Sequence, residues 1–74
     1  MLVIEDETTL AGLIAAYLSR AGYAPTTVHT GPDGVQAVRE HAPDVVILDL
    51  GLPGLDGIEV CRQIRTFSDC YVIV

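Results

Sequence analysis

The sequence predicts an α/β domain with an open, doubly wound parallel sheet and the element order β-α-β-α-β-α-β. Short apolar runs of strand length alternate with segments whose apolar residues recur every three or four positions. The strongest runs are apolar on both faces, as in buried parallel strands. The chain has 74 residues, of which 50% are hydrophobic, and shows no linker or internal repeat. These observations indicate one small domain.

The first strand and first helix follow from the opening residues. Met1–Ile4 is continuously apolar and is followed by three acids, Glu5–Glu7, as expected where a buried strand leaves a sheet. Helix one then ends with Arg20 in its last turn and Gly22 just beyond it. Its apolar stripe, which we expect to be buried, consists of Leu10, Leu13, Ile14, Tyr17, Leu18 and Ala21.

The second strand is predicted at an edge of the sheet. Ala24–Val28 is short and contains Pro25, which a central strand cannot easily accommodate. Thr30, followed three residues later by Asp33, has the pattern of a helix cap. Helix two therefore begins here, and it ends before Pro43.

The third strand, Val45–Leu48, is apolar on both faces and is therefore predicted to be central. A loop containing Gly51, Pro53 and Gly54 follows it, and Asp56 with Glu59 forms the next capping pair. Apolar residues then recur on the expected buried side of helix three: Ile58, Val60, Cys61, Ile64 and Phe67. After a turn at Ser68 and Asp69, Cys70–Val74 begins a fourth buried strand.

The charge balance limits the possible partners. Ten acids against four arginines, with no lysine, give a net charge of −6. This balance opposes direct contact with nucleic acid or anionic lipid and favours a cation. Two cysteines are too few for a disulfide scaffold, the sequence shows no charged leader, and no apolar run is long enough to span a bilayer. We therefore expect a reduced, cytoplasmic domain.

Three acids are predicted to meet at one edge of the sheet. Glu5 and Asp6 follow the first strand and Asp49 ends the third. Parallel strands about 4.8 Å apart would bring these carboxylates into one pocket. A bound cation would relieve their repulsion, and oxygen ligands favour Mg²⁺. The alternative is that Asp6 caps helix one while Glu5 and Asp49 only mark exposed strand ends.

Two enzyme classes are disfavoured by the same residues. A flavin or dinucleotide site needs a Gly-rich or hydroxyl-rich loop after the first strand, but this loop opens with three negative charges. A phosphatase with an aspartate nucleophile usually has a second acid two residues later, where this chain has Gly51.

The remaining candidate residues have structural explanations. His29 and His41 are predicted to be surface residues, because each is isolated near the end of an element. Cys61 and Cys70 lack zinc-ligand spacing and are predicted to be small core side chains. Packing is the expected role of all three tyrosines, Tyr17, Tyr23 and Tyr71.

Two segments resemble a known family. Residues 3–7, VIEDE, and 45–57, VVILDLGLPGLDG, are similar to the receiver domain of two-component response regulators, which has a flavodoxin-like fold. The acid pair, the strand-ending Asp49, Pro53 four residues later and the Asp56–Gly57 pair occur in the family's order. The resemblance covers essentially residues 1–74, the N-terminal portion of a receiver.

The resemblance implies a function. Asp49 would be the phosphoacceptor for a histidine kinase, and the module would not be an enzyme in the usual sense. Asp6 and Asp49 would bind Mg²⁺ through carboxylates, Gly51 through its carbonyl and Glu5 mostly through water. A carboxylate that receives a phosphoryl group needs such an ion to neutralise developing charge. Similarity to OmpR-type regulators over residues 51–65 implies a DNA-binding domain downstream.

Two other functions and one association remain open. A receiver's switch hydroxyl, lysine and aromatic residue follow its later strands and are not in this sequence, which favours a truncated or degenerate receiver that acts only as a protein-interaction module. A Mg²⁺-dependent phosphohydrolase using the same acids is the third interpretation. The last strand, with no neighbour on one side, is expected to promote self-association.

Overall fold

The computed structural model describes residues 1–49, 51 and 56–74, and in this part of the chain strands and helices alternate. None of these helices is long and apolar enough to cross a membrane. The predicted loop residues Pro53 and Gly54 lie outside the described residues. The predicted order of elements is confirmed: β1 (Leu2–Ile4), α1 (Thr8–Arg20), β2 (Thr26–Val28), α2 (Gly31–His41), β3 (Val45–Leu48), α3 (Gly57–Arg65) and β4 (Tyr71–Ile73).

The strands form a parallel sheet in the order β2-β1-β3-β4, which places β1 and β3 in the centre and β2 at an edge as predicted. Ile4 pairs with Val28 on one side and with Leu48 on the other. Strand β2 is shorter than expected and begins at Thr26. Pro25 precedes it, because proline has no amide hydrogen to donate within a strand.

The larger core lies on the face of the sheet that α2 and α3 cover. Side chains alternate along a strand, so Leu2 and Ile4 of β1 share this face with Val46 and Leu48 of β3. Burial of each such side chain is worth about 1.5–3 kcal/mol. The buried members of this core are Leu2, Ile4, Ala37, Val38, Val46, Leu48, Val60, Ile64 and Cys70, with Cys61 packed against them.

Two helices have the predicted caps. The Thr30 hydroxyl accepts a hydrogen bond from the Asp33 amide at 3.2 Å, and the Asp56 carboxylate accepts one from the Glu59 amide at 2.9 Å. These bonds satisfy amides that the first turn of a helix leaves free. Helix α2 ends before Pro43 as expected, but the left-handed residue there is Ala42, with φ of 44°.

The predicted buried stripe of α1 is largely wrong. Ala11 is the deeply buried residue of this helix at 1% exposure, whereas Leu13 and Tyr17 are 65% and 76% exposed. Leu10 and Ala21 are exposed as well. Helix α1 packs over β1 and β2 on the face opposite the larger core, and no described helix covers the neighbouring part of that face. An open cavity of about 360 Å³ remains there, lined in part by Val3, Ile14, Ile47 and Val74.

Other side chains predicted to be buried are also exposed. Ile58 is 72% exposed, because it lies two residues from the buried Val60 and therefore points to the opposite side of α3. Tyr71 is 77% exposed on the same open sheet face, and Tyr23 is 55% exposed beyond the end of α1. Phe67 is 37% exposed, with the Arg39 guanidinium 4.2 Å from its ring centre.

Gly34→Ala should destabilise the chain by about 1–2 kcal/mol, because overpacking in a buried site exceeds the gain in helix propensity. A Cβ at this position would lie 2.5 Å from Cδ1 and 3.0 Å from Cγ1 of Ile4, whose side chain has no exposed area. Gly12→Ala is the matched control, because a Cβ added at Gly12 would have nothing within 4 Å. This substitution should stabilise the chain by about 0.5–1 kcal/mol. Chemical denaturation measures both, and equal effects would show that α2 does not approach β1 closely.

The 74-residue chain should self-associate through β4. This strand lies at the edge of the sheet, and Ile73 and Val74 are 56% and 70% exposed. Sedimentation at micromolar concentration should show dimers, and Ile73→Lys should reduce them. Ile58→Lys removes an even more exposed apolar side chain from α3 and should have no such effect. A monomeric wild-type chain with a cooperative melt would contradict the expectation.

Candidate functional site

Three carboxylates meet at the carboxyl edge of the two central strands, as predicted. Glu5 follows β1, Asp6 comes next, and Asp49 follows β3. Oxygen atoms from the three side chains lie within 4.8 Å of one another. The backbone holds the two strand ends together, since the Asp49 amide donates to the Ile4 carbonyl at 3.0 Å. The convergence of these acids therefore follows from the pairing of β1 with β3.

Glu5 is the most buried acid of this cluster, with 7% of its surface exposed. The pKa of Glu5 is raised to about 7, mainly by burial and also by hydrogen bonds of its carboxyl group with Asp49 and Asp6. Near neutral pH the Glu5 carboxyl therefore exchanges between its protonated and ionised forms. When protonated, it donates to a neighbouring carboxylate and lowers the repulsion within the cluster.

The pKa of Asp49 is shifted in the opposite direction, because a backbone amide donates a hydrogen bond to its carboxylate. The Gly51 amide donates to Asp49 Oδ1 at 3.0 Å, and this bond lowers the pKa of Asp49, followed by the hydrogen bond with Glu5. The lowered pKa keeps the Asp49 carboxylate ionised, and because the residue is only half-buried the carboxylate is also accessible. Neighbouring acids with opposite pKa shifts are typical of sites where one carboxylate acts as a nucleophile or ligand and the other holds a proton.

The donor set fits a small divalent cation. Ligand oxygens about 2.1 Å from an octahedral Mg²⁺ lie roughly 3.0 Å apart when adjacent and 4.2 Å apart when opposite. The oxygens of the three carboxylates lie within 4.8 Å of one another, slightly beyond the wider of these separations. Glu5, Asp6 and Asp49 could thus hold the ion. For Gly51, the structure shows that its amide donates a hydrogen bond to Asp49. The use of the Gly51 carbonyl as a ligand for the ion stays a prediction.

The alternative role of Asp6 as a helix cap is wrong. Residue Glu7 occupies the capping position of α1 without a side-chain capping bond, and its own amide donates to Glu5 Oε2 at 3.5 Å rather than to Asp6. Asp6 is exposed and lies beside Glu5 and Asp49. Its carboxylate is therefore available to a ligand.

The prediction that His29 is a surface residue is only partly correct. The residue is half-buried, and its ring Nδ1 lies 3.0 Å from the carbonyl oxygen of Glu5. It follows the last residue of β2, and β2 pairs with β1, so the histidine comes beside the strand end that carries the acids. Its position after an edge strand was the signal available in the sequence. His41 is exposed as predicted.

Comparisons with known proteins agree on one family. The profile described as the response regulator receiver domain matches residues 1–74. The transcriptional regulatory protein BaeR of Escherichia coli is 45% identical over the whole chain, which covers 31% of BaeR. AfsQ1 of Streptomyces coelicolor, also a transcriptional regulatory protein, is 39% identical over the whole chain, which covers 33% of AfsQ1. The chain thus spans about a third of the length of these curated relatives.

A solved structure shows the same fold. The BeF3-activated N-terminal receiver domain of Klebsiella pneumoniae RstA superposes with a TM-score of 0.91 and 31% identity. The match covers 96% of this chain and 61% of the RstA chain.

In the absence of divalent cations, the stability of the chain should fall as pH rises from 4.5 to about 7. The folded state binds the Glu5 proton more tightly than the unfolded state does, so this contribution is complete below pH 4.5 and is lost toward pH 7. Asp49, with its lowered pKa, acts in the opposite direction and only at more acidic pH. Denaturation in EDTA across this range measures the slope.

Glu5→Gln should flatten that pH dependence, because glutamine has no proton to lose. Glu40→Gln, an exposed substitution on α2, is the control and should keep the wild-type slope. The same slope in Glu5→Gln and wild type would show that Glu5 does not control it.

Proposed function

The chain belongs to the response regulator receiver domain family, and from that premise we propose that it is a phosphoacceptor module of a two-component signalling system. In this proposal Asp49 takes a phosphoryl group from a sensor histidine kinase, with Mg²⁺ at Glu5, Asp6 and Asp49. The observation that carries the proposal is the convergence of the three carboxylates within 4.8 Å, with Asp49 held ionised by the Gly51 amide. The module accepts one group and turns over no external substrate.

The transfer is a displacement at phosphorus. A carboxylate oxygen of Asp49 forms a bond to phosphorus as the phosphorus–nitrogen bond of the donor phosphohistidine breaks, and the leaving imidazole nitrogen takes up a proton. The bond from the Gly51 amide to Oδ1 fixes the orientation of the Asp49 carboxylate. The half-buried position of Asp49 leaves it open to the donor.

The remaining residues of the cluster hold the ion. We propose that Asp6 and Asp49 ligate it through carboxylates, Gly51 through its carbonyl, and Glu5 mostly through water. When bound, Mg²⁺ supplies positive charge that offsets the charge developing on the transferred oxygens. Without the ion, Glu5 is partly protonated near pH 7, which limits the repulsion in the cluster.

We further propose that the parent protein is a cytoplasmic DNA-binding transcriptional regulator. The two relatives, BaeR and AfsQ1, are transcriptional regulatory proteins roughly three times as long as this chain, which supports an output domain elsewhere in the parent. The net charge of −6 makes direct contact between this segment and nucleic acid unfavourable. The module would then act on DNA only through that output domain.

Incubation of the chain with Mg²⁺ and a small-molecule phosphodonor should add one phosphoryl group to Asp49. Intact-mass spectrometry should show the adduct on wild type and on Asp44→Asn, which changes an exposed acid at the other end of β3. Asp49→Asn should show none, because the amide is not a nucleophile here. Asp6→Asn should reduce Mg²⁺ affinity by at least about 10- to 100-fold, the usual cost of losing a group that only supports a ligand, and slow the reaction accordingly.

The other interpretations predict different outcomes of this experiment. No adduct on wild type would support a receiver that acts only in protein interactions, and sustained phosphate release would support a phosphohydrolase. An adduct that persists on Asp49→Asn would show that the phosphoacceptor is a different residue.

A further inference from the structure

His29 contacts the backbone of the acid cluster from the neighbouring strand. Its ring Nδ1 lies 3.0 Å from the carbonyl oxygen of Glu5, across 24 residues of sequence. A carbonyl oxygen only accepts hydrogen bonds, so the ring must carry its proton on Nδ1 to make this bond. The histidine is half-buried at the end of β2, and its ring is therefore held beside β1 rather than in open solvent.

This contact takes the place of the next bond in the parallel ladder. The amide of Glu5 donates to the Val28 carbonyl at 3.0 Å, and the carbonyl of a strand residue points to the same side as its amide. Glu5 therefore presents its carbonyl oxygen toward the segment that follows Val28. Strand β2 ends at Val28, and the His29 side chain reaches the oxygen at that point.

A bond to the Glu5 carbonyl restrains the residue after it. The carbonyl of Glu5 and the amide of Asp6 belong to one rigid peptide plane. Fixing the oxygen therefore fixes the direction in which the chain leaves β1 toward Asp6. Helix α1 starts without a side-chain cap, and the bond within this turn from the Glu7 amide to Glu5 Oε2 is long, at 3.5 Å.

We infer that His29 is a positioning residue, whose ring holds the end of β1 in the orientation that turns the carboxylates of Glu5 and Asp6 toward Asp49. The inference rests on the proposed Mg²⁺ site. It assigns His29 no contact with the ion or the phosphoryl group. Its effect is on the geometry of the ligands, and it should change Mg²⁺ affinity without removing any ligand.

Two substitutions separate the hydrogen bond from the bulk of the ring. His29→Asn keeps an N–H donor, because the asparagine Nδ2 is as many bonds from Cα as the histidine Nδ1. His29→Leu keeps a branched side chain and removes the donor. His41→Leu, on the exposed end of α2, is the control for loss of a histidine away from the site.

Mg²⁺ titration of the 74-residue chain, followed by calorimetry, should show about 2- to 10-fold weaker binding by His29→Leu, the range expected for loss of one hydrogen bond. His29→Asn should bind within about twofold of wild type, and His41→Leu should not differ from it. Thermal melts without Mg²⁺ give a readout for stability alone. Equal Mg²⁺ affinity in wild type and a folded His29→Leu would overturn the inference, whatever the change in melting temperature.

The protonated ring nitrogen of wild type tests the geometry without any substitution. Long-range ¹H–¹⁵N correlation spectra should show the proton of neutral His29 on Nδ1, and a proton on Nε2 alone would overturn the inference. The two proposals fail differently. If wild type binds no Mg²⁺, both are wrong, whereas normal binding and the expected variant effects without an adduct on Asp49 would contradict only the phosphoacceptor function.

Discussion

The parallel pairing of β1 with β3 sets the main physical constraint on this molecule. The register of Ile4 with Leu48 brings the next residues, Glu5 and Asp49, to the same edge of the sheet. Carboxylates this close cannot all ionise without a large repulsive energy, so some positive charge or proton must accompany them. The chemistry of the site therefore depends on which proton or positive charge compensates these carboxylates.

The surroundings of the two strand-end acids decide which of them holds a proton. Glu5 is buried against the sheet, and its pKa is raised to about 7. Asp49 accepts a hydrogen bond from the Gly51 amide and remains ionised. A divalent cation would replace the proton on Glu5 as the source of compensation. The same exchange makes the cluster sensitive to pH and to Mg²⁺, because both act on the same negative charge.

Local sequence patterns predicted the elements, but the burial of α1 could not be predicted from them. The caps at Thr30 and Asp56 each involve a residue three positions later, so the spacing in the sequence was sufficient to predict them. Tyr17 lies at the right spacing for a buried stripe, yet its exposure depends on whether another element packs over it. The role of His29 depends on the pairing of β2 with β1, which brings together residues far apart in sequence.

The acid cluster borders the cavity on the open sheet face beside α1. Glu5 and Asp49 line the cavity of about 360 Å³ together with the apolar Val3, Ile14 and Val74. Any group that fills this cavity removes water from one side of the carboxylates and lowers the local dielectric constant. The charged form of Glu5 would then become less favourable, and compensation by a proton or a cation would be required more strongly. The covering of this face and the electrostatics of the site are therefore linked, because Glu5 and Asp49 belong to both.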